Sequence, residues 1–166
     1  MDGRHRAYIG VGSNLGNRVE NCRRAIEAVV ASEDCVLLAQ SPFYETEPVY
    51  LEDQGWFVNA AALIRTSLEP EALLARLQAI EQKMGPRGES PRFGPRVVDL
   101  DILFFDDLVL QGRDLKVPHP RLHERRFVLR PLSDIAARFV HPLLGETVGS
   151  LLASLKDGQK RVLLLE

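Results

Sequence analysis

Nine consecutive residues, Val97-Val98-Asp99-Leu100-Asp101-Ile102-Leu103-Phe104-Phe105, constrain this chain more than any other stretch. A run this apolar reads as a central, buried strand. It nevertheless carries two carboxylates two residues apart, and side chains at i and i+2 of a strand share a face. Burying neighbouring carboxylates costs on the order of several kcal/mol unless each is partnered, and each raises the other's pKa. Two arrangements would relieve this. One is a hard divalent cation such as Mg²⁺, which takes carboxylate oxygens together with water and phosphate. The other is ion pairing with Arg92 and Arg96, just upstream. The residues alone leave both open.

The rest of the chain places this strand in an order. Ala7 to Gly12 reads as a strand that stops in a Gly-Ser-Asn-Leu-Gly-Asn turn. Asn17 is suited to cap a helix, and Val19, Cys22, Ile26, Val29 and Val30 recur at close to the helical period. Val36 to Tyr44 and Phe57 to Thr66 read as strands, joined by a polar loop that carries Pro48. A second helix begins at Pro70, with Glu69 and Glu71 at its positive end. It carries Leu73, Leu77, Ile80 and Met84 as a stripe and ends at Gly85-Pro86. Residues 85–96 form a loop, and Asp106-Asp107 turns the chain into a short strand over 108–110 that pairs back on 97–105. Pro131 to Ala137 and Val148 to Leu155 are short helices, and Val162 to Leu165 adds an edge strand. Strand, helix, strand, strand, helix, strand is the split βαβ order: an α+β, ferredoxin-like antiparallel sheet with helices on one face.

Composition sets bounds on this reading. The 166 residues suit one domain over 1–166, and 45% hydrophobic with 27% charged residues is ordinary globular composition. The formal net charge of −2 argues against non-specific nucleic-acid binding. Within 86–130, however, nine Arg or Lys face seven Asp or Glu, so this stretch is suited to meet an anion. Cys22 and Cys35 show no pairing pattern and are expected to be reduced, which points to a cytoplasmic protein. No apolar run approaches the ~18 residues of a membrane span. A monomer is expected, with weak dimerisation at most.

Several other side chains carry chemistry. Arginines beside paired carboxylates suit a polyphosphate, whose oxygens a metal and guanidinium forks would share. His119 stands between two prolines, as a ligand to an anion or as a loop histidine bonded to backbone; His123 reads as a surface residue. Asn59 interrupts an apolar strand and shares a face with Phe57; a carboxamide offers two donors and two acceptors to a heterocycle edge. Phe57 and Phe127 could stack on a flat ring or simply fill core. Gln78 and Glu81 read as a solvated helix face. Gly10-Val11-Gly12-Ser13-Asn14-Leu15-Gly16 imitates a dinucleotide fingerprint with the wrong last spacing. It is read as a tight turn with Asn14 oriented toward the site.

The stretch from Phe93 to Phe105, with its Gly-Pro-Arg-x-x-Asp-Leu-Asp-Ile-Leu core, resembles the signature of the 6-hydroxymethyl-7,8-dihydropterin pyrophosphokinases (HPPK) of folate biosynthesis. The resemblance extends through Tyr8–Asn17, Ser41–Pro48, Phe57–Ala61, Gln78–Glu81, Val117–Arg121 and Glu124–Leu132. It implies an α/β/α sandwich of ferredoxin-like type. It also implies transfer of diphosphate from ATP to the pterin hydroxymethyl oxygen, with release of AMP. Asp99 and Asp101 match the aspartates that hold two Mg²⁺ ions, and Arg92 and Arg96 match arginines on the triphosphate. Gln78, Glu81, Ile102, Leu115, His119 and Arg125 match the ATP site, with His119 on a phosphate. Phe57 and Phe127 match the pair that sandwiches the pterin. Asn59 matches the amide on its edge, and Thr46, Pro48 and Val49 match backbone contacts and a wall. On this resemblance the loops 46–55 and 85–96 are expected to close over the substrates and exclude water. Departures are the Arg-poor stretch 86–91, Phe93 where Trp is frequent, and Phe57 in place of a Tyr. Two other readings are a non-catalytic ferredoxin-like binding module and an ATP-dependent transferase acting on another substrate. The acceptor pair at 99 and 101 disfavours the first, and Asn59 between ring-stacking positions disfavours the second.

Overall fold

A computed structural model describes residues 5–49, 53–85, 97–156 and 160–165. Strand β1 (His5–Ser13) leads through a Gly16 turn into helix α1 (Arg18–Val29). Asn17 caps that helix by accepting from the Glu20 N–H. Strands β2 (Cys35–Gln40), β3 (Tyr44–Thr46) and β4 (Phe57–Thr66) follow, then helix α2 (Pro70–Met84) with Pro70 in its first turn, and strand β5 (Asp99–Phe105). A hairpin of β6 (Leu110–Gln111) and β7 (Lys116–Val117) precedes helix α3 (Arg126–Ala136), helix α4 (Val148–Ala153) and strand β8 (Val162–Leu164). The main sheet runs β5-β1-β4-β3-β8, with β2 also on β4, and all its pairings are antiparallel. This is the expected ferredoxin-like α+β arrangement.

Four expectations are corrected. The strand expected over 36–44 is two strands on one edge of β4: β2 pairs the Ala62–Thr66 half and β3 the Phe57–Asn59 half. Pro42 has no N–H for the ladder. Ser41 bridges the gap, its N–H donating to the Ala61 carbonyl and its Oγ accepting from the Ala61 N–H. The short strand after β5 does not fold back on it. Asp106 takes a left-handed φ of 49°, and the chain instead forms the separate β6–β7 hairpin. Helix α3 starts five residues before Pro131, which lies inside it, because Leu129, Pro131, Leu132 and Ala136 bury one apolar face. Helices cover both faces of the sheet rather than one, as the α/β/α sandwich requires.

Two cores explain why the central strands are apolar on both faces. Ala7, Ile9, Val11, Leu100 and Ile102 pack against Cys22, Ile26, Leu73 and Leu77 of α1 and α2. Tyr8, Ala61, Leu63, Leu103 and Phe104 pack against Leu129, Leu132, Val148 and Leu151 of α3 and α4. A register shift opposite Tyr8 and Ile9 makes Leu103 an extra residue, so Leu103 and Phe104 both enter the second core. Cys22 and Cys35 are buried and unbridged. Among the described residues no helix is long and apolar enough to cross a membrane.

Candidate active site

One row of side chains crosses four strands. Gly12 of β1 pairs with Asp99 on one side and Asn59 on the other, and Asn59 pairs with Tyr44 of β3. Neighbouring strands lie about 4.8 Å apart, so Asp99 and Asn59 stand roughly 10 Å apart across a glycine. The next row holds Asp101, Gly10 and Ala61. The two aspartates therefore share the α3 face of β5, at the end of the sheet, and face a β1 that carries no side chain at either position. Asp99 is half-buried and Asp101 exposed.

Gly12 has a specific reason to be glycine. A Cβ there would lie 2.5 Å from Asn59 Oδ1, closer than any real contact. Asn59 is held in this position by its Nδ2, which donates to Thr46 Oγ1 at 2.7 Å, and Thr46 is 1% exposed. Phe57, opposite Thr46, is half-buried, Pro48 is buried and Val49 is exposed. Tyr44 anchors β3 to α3 through a hydrogen bond to Asp134.

The nucleotide-side candidates separate into groups. Glu81 Oε2 accepts from the Leu100 N–H at 2.8 Å, which fixes α2 to β5 between the two aspartates; Gln78, three residues earlier, is exposed. Ile102 and Leu115 turn their side chains into the α1/α2 core, so contact with a ligand would fall to their backbones. His119 is tied to β5 by its N–H, which donates to the Leu103 carbonyl at 3.0 Å. Its Nδ1 accepts from the Arg121 N–H at 3.2 Å, which assigns the ring proton to Nε2. Desolvation first, then the charges of Arg125 and Arg121, pushes the imidazole down to about 4. At neutral pH it is thus a neutral Nε2–H donor, suited to an anionic oxygen. Arg92 and Arg96, and most of the loop 85–96, lie outside the described residues.

Phe127 opens α3, with the Arg125 guanidinium 5.7 Å from its ring centre. A cleft of about 150 Å³ brings Val49, Phe127 and Arg125 together with Arg126, Lys160 and Arg161. Of the residues expected at the pterin, Thr46, Phe57 and Asn59 thus form one contiguous cluster on β3 and β4, while Val49 and Phe127 line this cleft. Asn14 is buried and turned toward the same end of the sheet, its Nδ2 donating to Gln54 Oε1 at 2.7 Å.

Sequence reasoning missed Arg18, Glu47, Trp56 and Arg161. Arg18 donates to the Trp56 carbonyl at 2.7 Å and to Glu45 Oε2 at 2.9 Å. Arg161 grips Glu47 through its own N–H and its Nε, both at 2.9 Å, and this pairing lowers the Glu47 pKa. Positions 47 and 161 meet one step beyond the β3–β8 ladder, for which sequence spacing gives no signal.

The family model described as 7,8-dihydro-6-hydroxymethylpterin-pyrophosphokinase (HPPK) matches residues 8–137. The chain is 43% identical over 150 residues to the folic acid synthesis protein fol1 of Pneumocystis carinii, a match spanning 90% of this chain and 20% of that protein. It is 41% identical over 158 residues to the 2-amino-4-hydroxy-6-hydroxymethyldihydropteridine pyrophosphokinase of Methylorubrum extorquens, across 95% of this chain and 98% of the relative. The chain thus spans about a fifth of the length of the folic acid synthesis proteins it matches and nearly all of the Methylorubrum protein. Among solved structures, wild-type Plasmodium falciparum HPPK-DHPS with SDX-DHP superposes with a TM-score of 0.75 at 15% identity, covering 92% of this chain and 44% of that one. At that identity the likeness concerns the fold.

Proposed function

We propose that this chain, which belongs to the 7,8-dihydro-6-hydroxymethylpterin-pyrophosphokinase family, transfers the diphosphate of ATP to the hydroxymethyl oxygen of 6-hydroxymethyl-7,8-dihydropterin. The new bond forms between that oxygen and the β-phosphorus, the bridge to the α-phosphate breaks, AMP leaves, and the hydroxyl proton is lost. The observation that carries the reading is the row Asp99, Gly12, Asn59 with Asp101 and Gly10 in the row beside it: an acidic pair and a carboxamide on one sheet face, separated by a strand without side chains at these two positions. That spacing suits a heterocycle edge at Asn59 whose substituent reaches toward polyphosphate at Asp99.

The roles follow from chemistry. Asn59, oriented by Thr46, reads the pterin edge, with Phe57 and Phe127 on its faces and Thr46, Pro48 and Val49 at its margin. His119 donates Nε2–H to a phosphate oxygen without adding a proton that titrates near neutrality. Arg125, with Arg92 and Arg96, neutralises the triphosphate, and Gln78, Glu81, Ile102 and Leu115 border the nucleotide. The donor set fits magnesium. Two carboxylates side by side on an open strand end leave the remaining positions to water and phosphate, as Mg²⁺ prefers. Asp99 and Asp101 would hold two such ions, which when bound supply charge neutralisation on the polyphosphate oxygens. Transfer of this kind asks the protein mainly for alignment and positive charge.

Product analysis tests the reading. With ATP, Mg²⁺ and the pterin, AMP is expected only when all three are present, and Asp99→Ala is expected to abolish it. ADP in place of AMP would mean simple phosphoryl transfer and overturn the assignment. Asn59→Ala is expected to weaken pterin binding at least tenfold, the change about 1.4 kcal/mol makes, with ATP binding retained. Equal loss of both would place Asn59 outside the pterin site.

A further inference from the structure

We propose that Arg161, on the segment entering the last strand, is a positioning residue for the pterin site. It acts by clamping both ends of the segment from Glu47 to Trp56. The inference rests on the diphosphate-transfer reading above and names a residue outside the family-matched span, which ends at 137.

Both ends of the segment meet one side chain. At the first end, Glu47 Oε1 accepts from the Arg161 N–H and from its Nε, both at 2.9 Å, and the Glu47 N–H donates to the Arg161 carbonyl at 3.1 Å. At the second end, the same guanidinium lies 4.9 Å from the centre of the Trp56 ring. A cation over indole is the strongest of the cation–π pairings. Arg18 of α1 repeats the device, joining the Glu45 carboxylate to the Trp56 carbonyl at 2.9 and 2.7 Å. Trp56 is thus held by its ring from the segment entering the last strand and by its carbonyl from the first helix.

These contacts sit beside the residues assigned to the pterin. Glu47 lies between Thr46 and Pro48, and Trp56 immediately precedes Phe57. Thr46 in turn orients Asn59 through the 2.7 Å hydrogen bond. A shift of Glu47 or Trp56 moves one wall of the site or the other, whereas Asp99 and His119 lie on other strands and loops. The Arg161 side chain is 66% exposed, so its removal leaves both cores intact. An exposed ion pair by itself contributes little. What sets this one apart is that a single guanidinium spans two chain segments whose relative placement defines a site.

The chain contains one tryptophan, so its fluorescence reports the clamp directly. We expect Arg161→Ala to make Trp56 more accessible to acrylamide quenching. We also expect it to raise the KM for the pterin about tenfold while leaving kcat and the KM for ATP within about twofold, the pattern of lost binding rather than lost chemistry. Arg161→Lys keeps a cation near both partners and is expected to recover most of the pterin KM. Unchanged quenching in Arg161→Ala would show that the clamp does not form in solution. Increased quenching with an unchanged pterin KM would show that it forms and positions nothing. A fall in kcat that Arg161→Lys does not rescue would equally overturn the proposal. Wild-type protein that forms no AMP would overturn the diphosphate reading itself, and with it the positioning role; AMP formation with a pterin KM insensitive to position 161 would overturn the clamp alone.

Discussion

At the scale of single residues, Gly12 and Asn59 form the contact on which the proposed reading of the pterin edge rests. A methyl at position 12 would approach Asn59 Oδ1 to 2.5 Å, and the amide is the side that must give. Moving it breaks the bond to Thr46, a buried hydroxyl. Gly12→Ala is therefore expected to weaken pterin binding about tenfold or more. It should also cost about 1–3 kcal/mol of stability, the usual cost of overpacking. Calorimetric titration with pterin and with an ATP analogue, beside urea unfolding, separates these effects. Equal pterin affinity in the two proteins would show that Asn59 does not need this position. The sequence made Asn59 conspicuous because a carboxamide in an apolar strand is locally anomalous. It could not reveal why position 12 lacks a side chain, because that depends on the β1–β4 register. The paired aspartates were legible for the same local reason, i and i+2 on one strand. Arg161 was not, because its partner lies 114 residues away.

At the scale of elements, the turn that ends β5 shows how a local conformation directs the chain. Asp106 takes a left-handed φ of 49°, its N–H donates to the Arg6 carbonyl at 2.8 Å, and its Oδ1 accepts from the Arg6 N–H at 2.8 Å. Its Oδ2 lies 2.7 Å from His5 Nδ1, which also has Glu69 at 3.5 Å from Nε2. The hydrogen bond to Asp106 is the main cause of a raised His5 pKa. The backbone strain of a non-glycine residue here is about 1–2 kcal/mol, so Asp106→Ala, which also loses the acceptor for Arg6, is expected to destabilise by about 2 kcal/mol. Asp106→Asn keeps the turn and removes the charge. Because the folded pKa of His5 is raised, its contribution is fully present below the unfolded value near 6.5 and is lost as pH rises through the folded value. Wild-type urea midpoints are thus expected to fall between about pH 6 and pH 8.5 by more than those of Asp106→Asn. Identical pH dependence in both would remove His5 from the account. The same elements explain which boundaries sequence reading missed. Periodicity located α1 and α2, whose signals are local. The break at Pro42 is set by the edge of β4, the early start of α3 by the second core, and the separate β6–β7 hairpin by the first core, where Leu115 and Val117 are buried; no window of sequence contains these partners.

At the scale of the whole molecule, the sheet carries a core on each face, and the candidate row lies on the α3 face, with Tyr44 buried against α3 at one end and Asp99 half-buried at the other. The strands β1, β4 and β5 contribute side chains to both cores. Loss of packing on either face therefore loosens the same strands that hold Asp99, Gly12 and Asn59 in a row. Leu77 of α2 and Leu132 of α3 are each fully buried, one in each core. Truncating either to alanine is expected to cost about 2–5 kcal/mol, roughly 2–4 °C of midpoint for each kcal/mol in a chain of this size. Because the strands are shared, both variants are expected to unfold in one transition with an unchanged denaturant slope. Urea melts followed by far-ultraviolet dichroism and by Trp56 fluorescence provide the comparison, since Trp56 sits at the clamp and the dichroism averages all elements. Coincident curves in Leu77→Ala and Leu132→Ala would mean that the two cores act as one unit through the sheet. Separated curves in either variant would mean that one helical layer can leave while the other stays, and that the site's row of residues depends on one face alone.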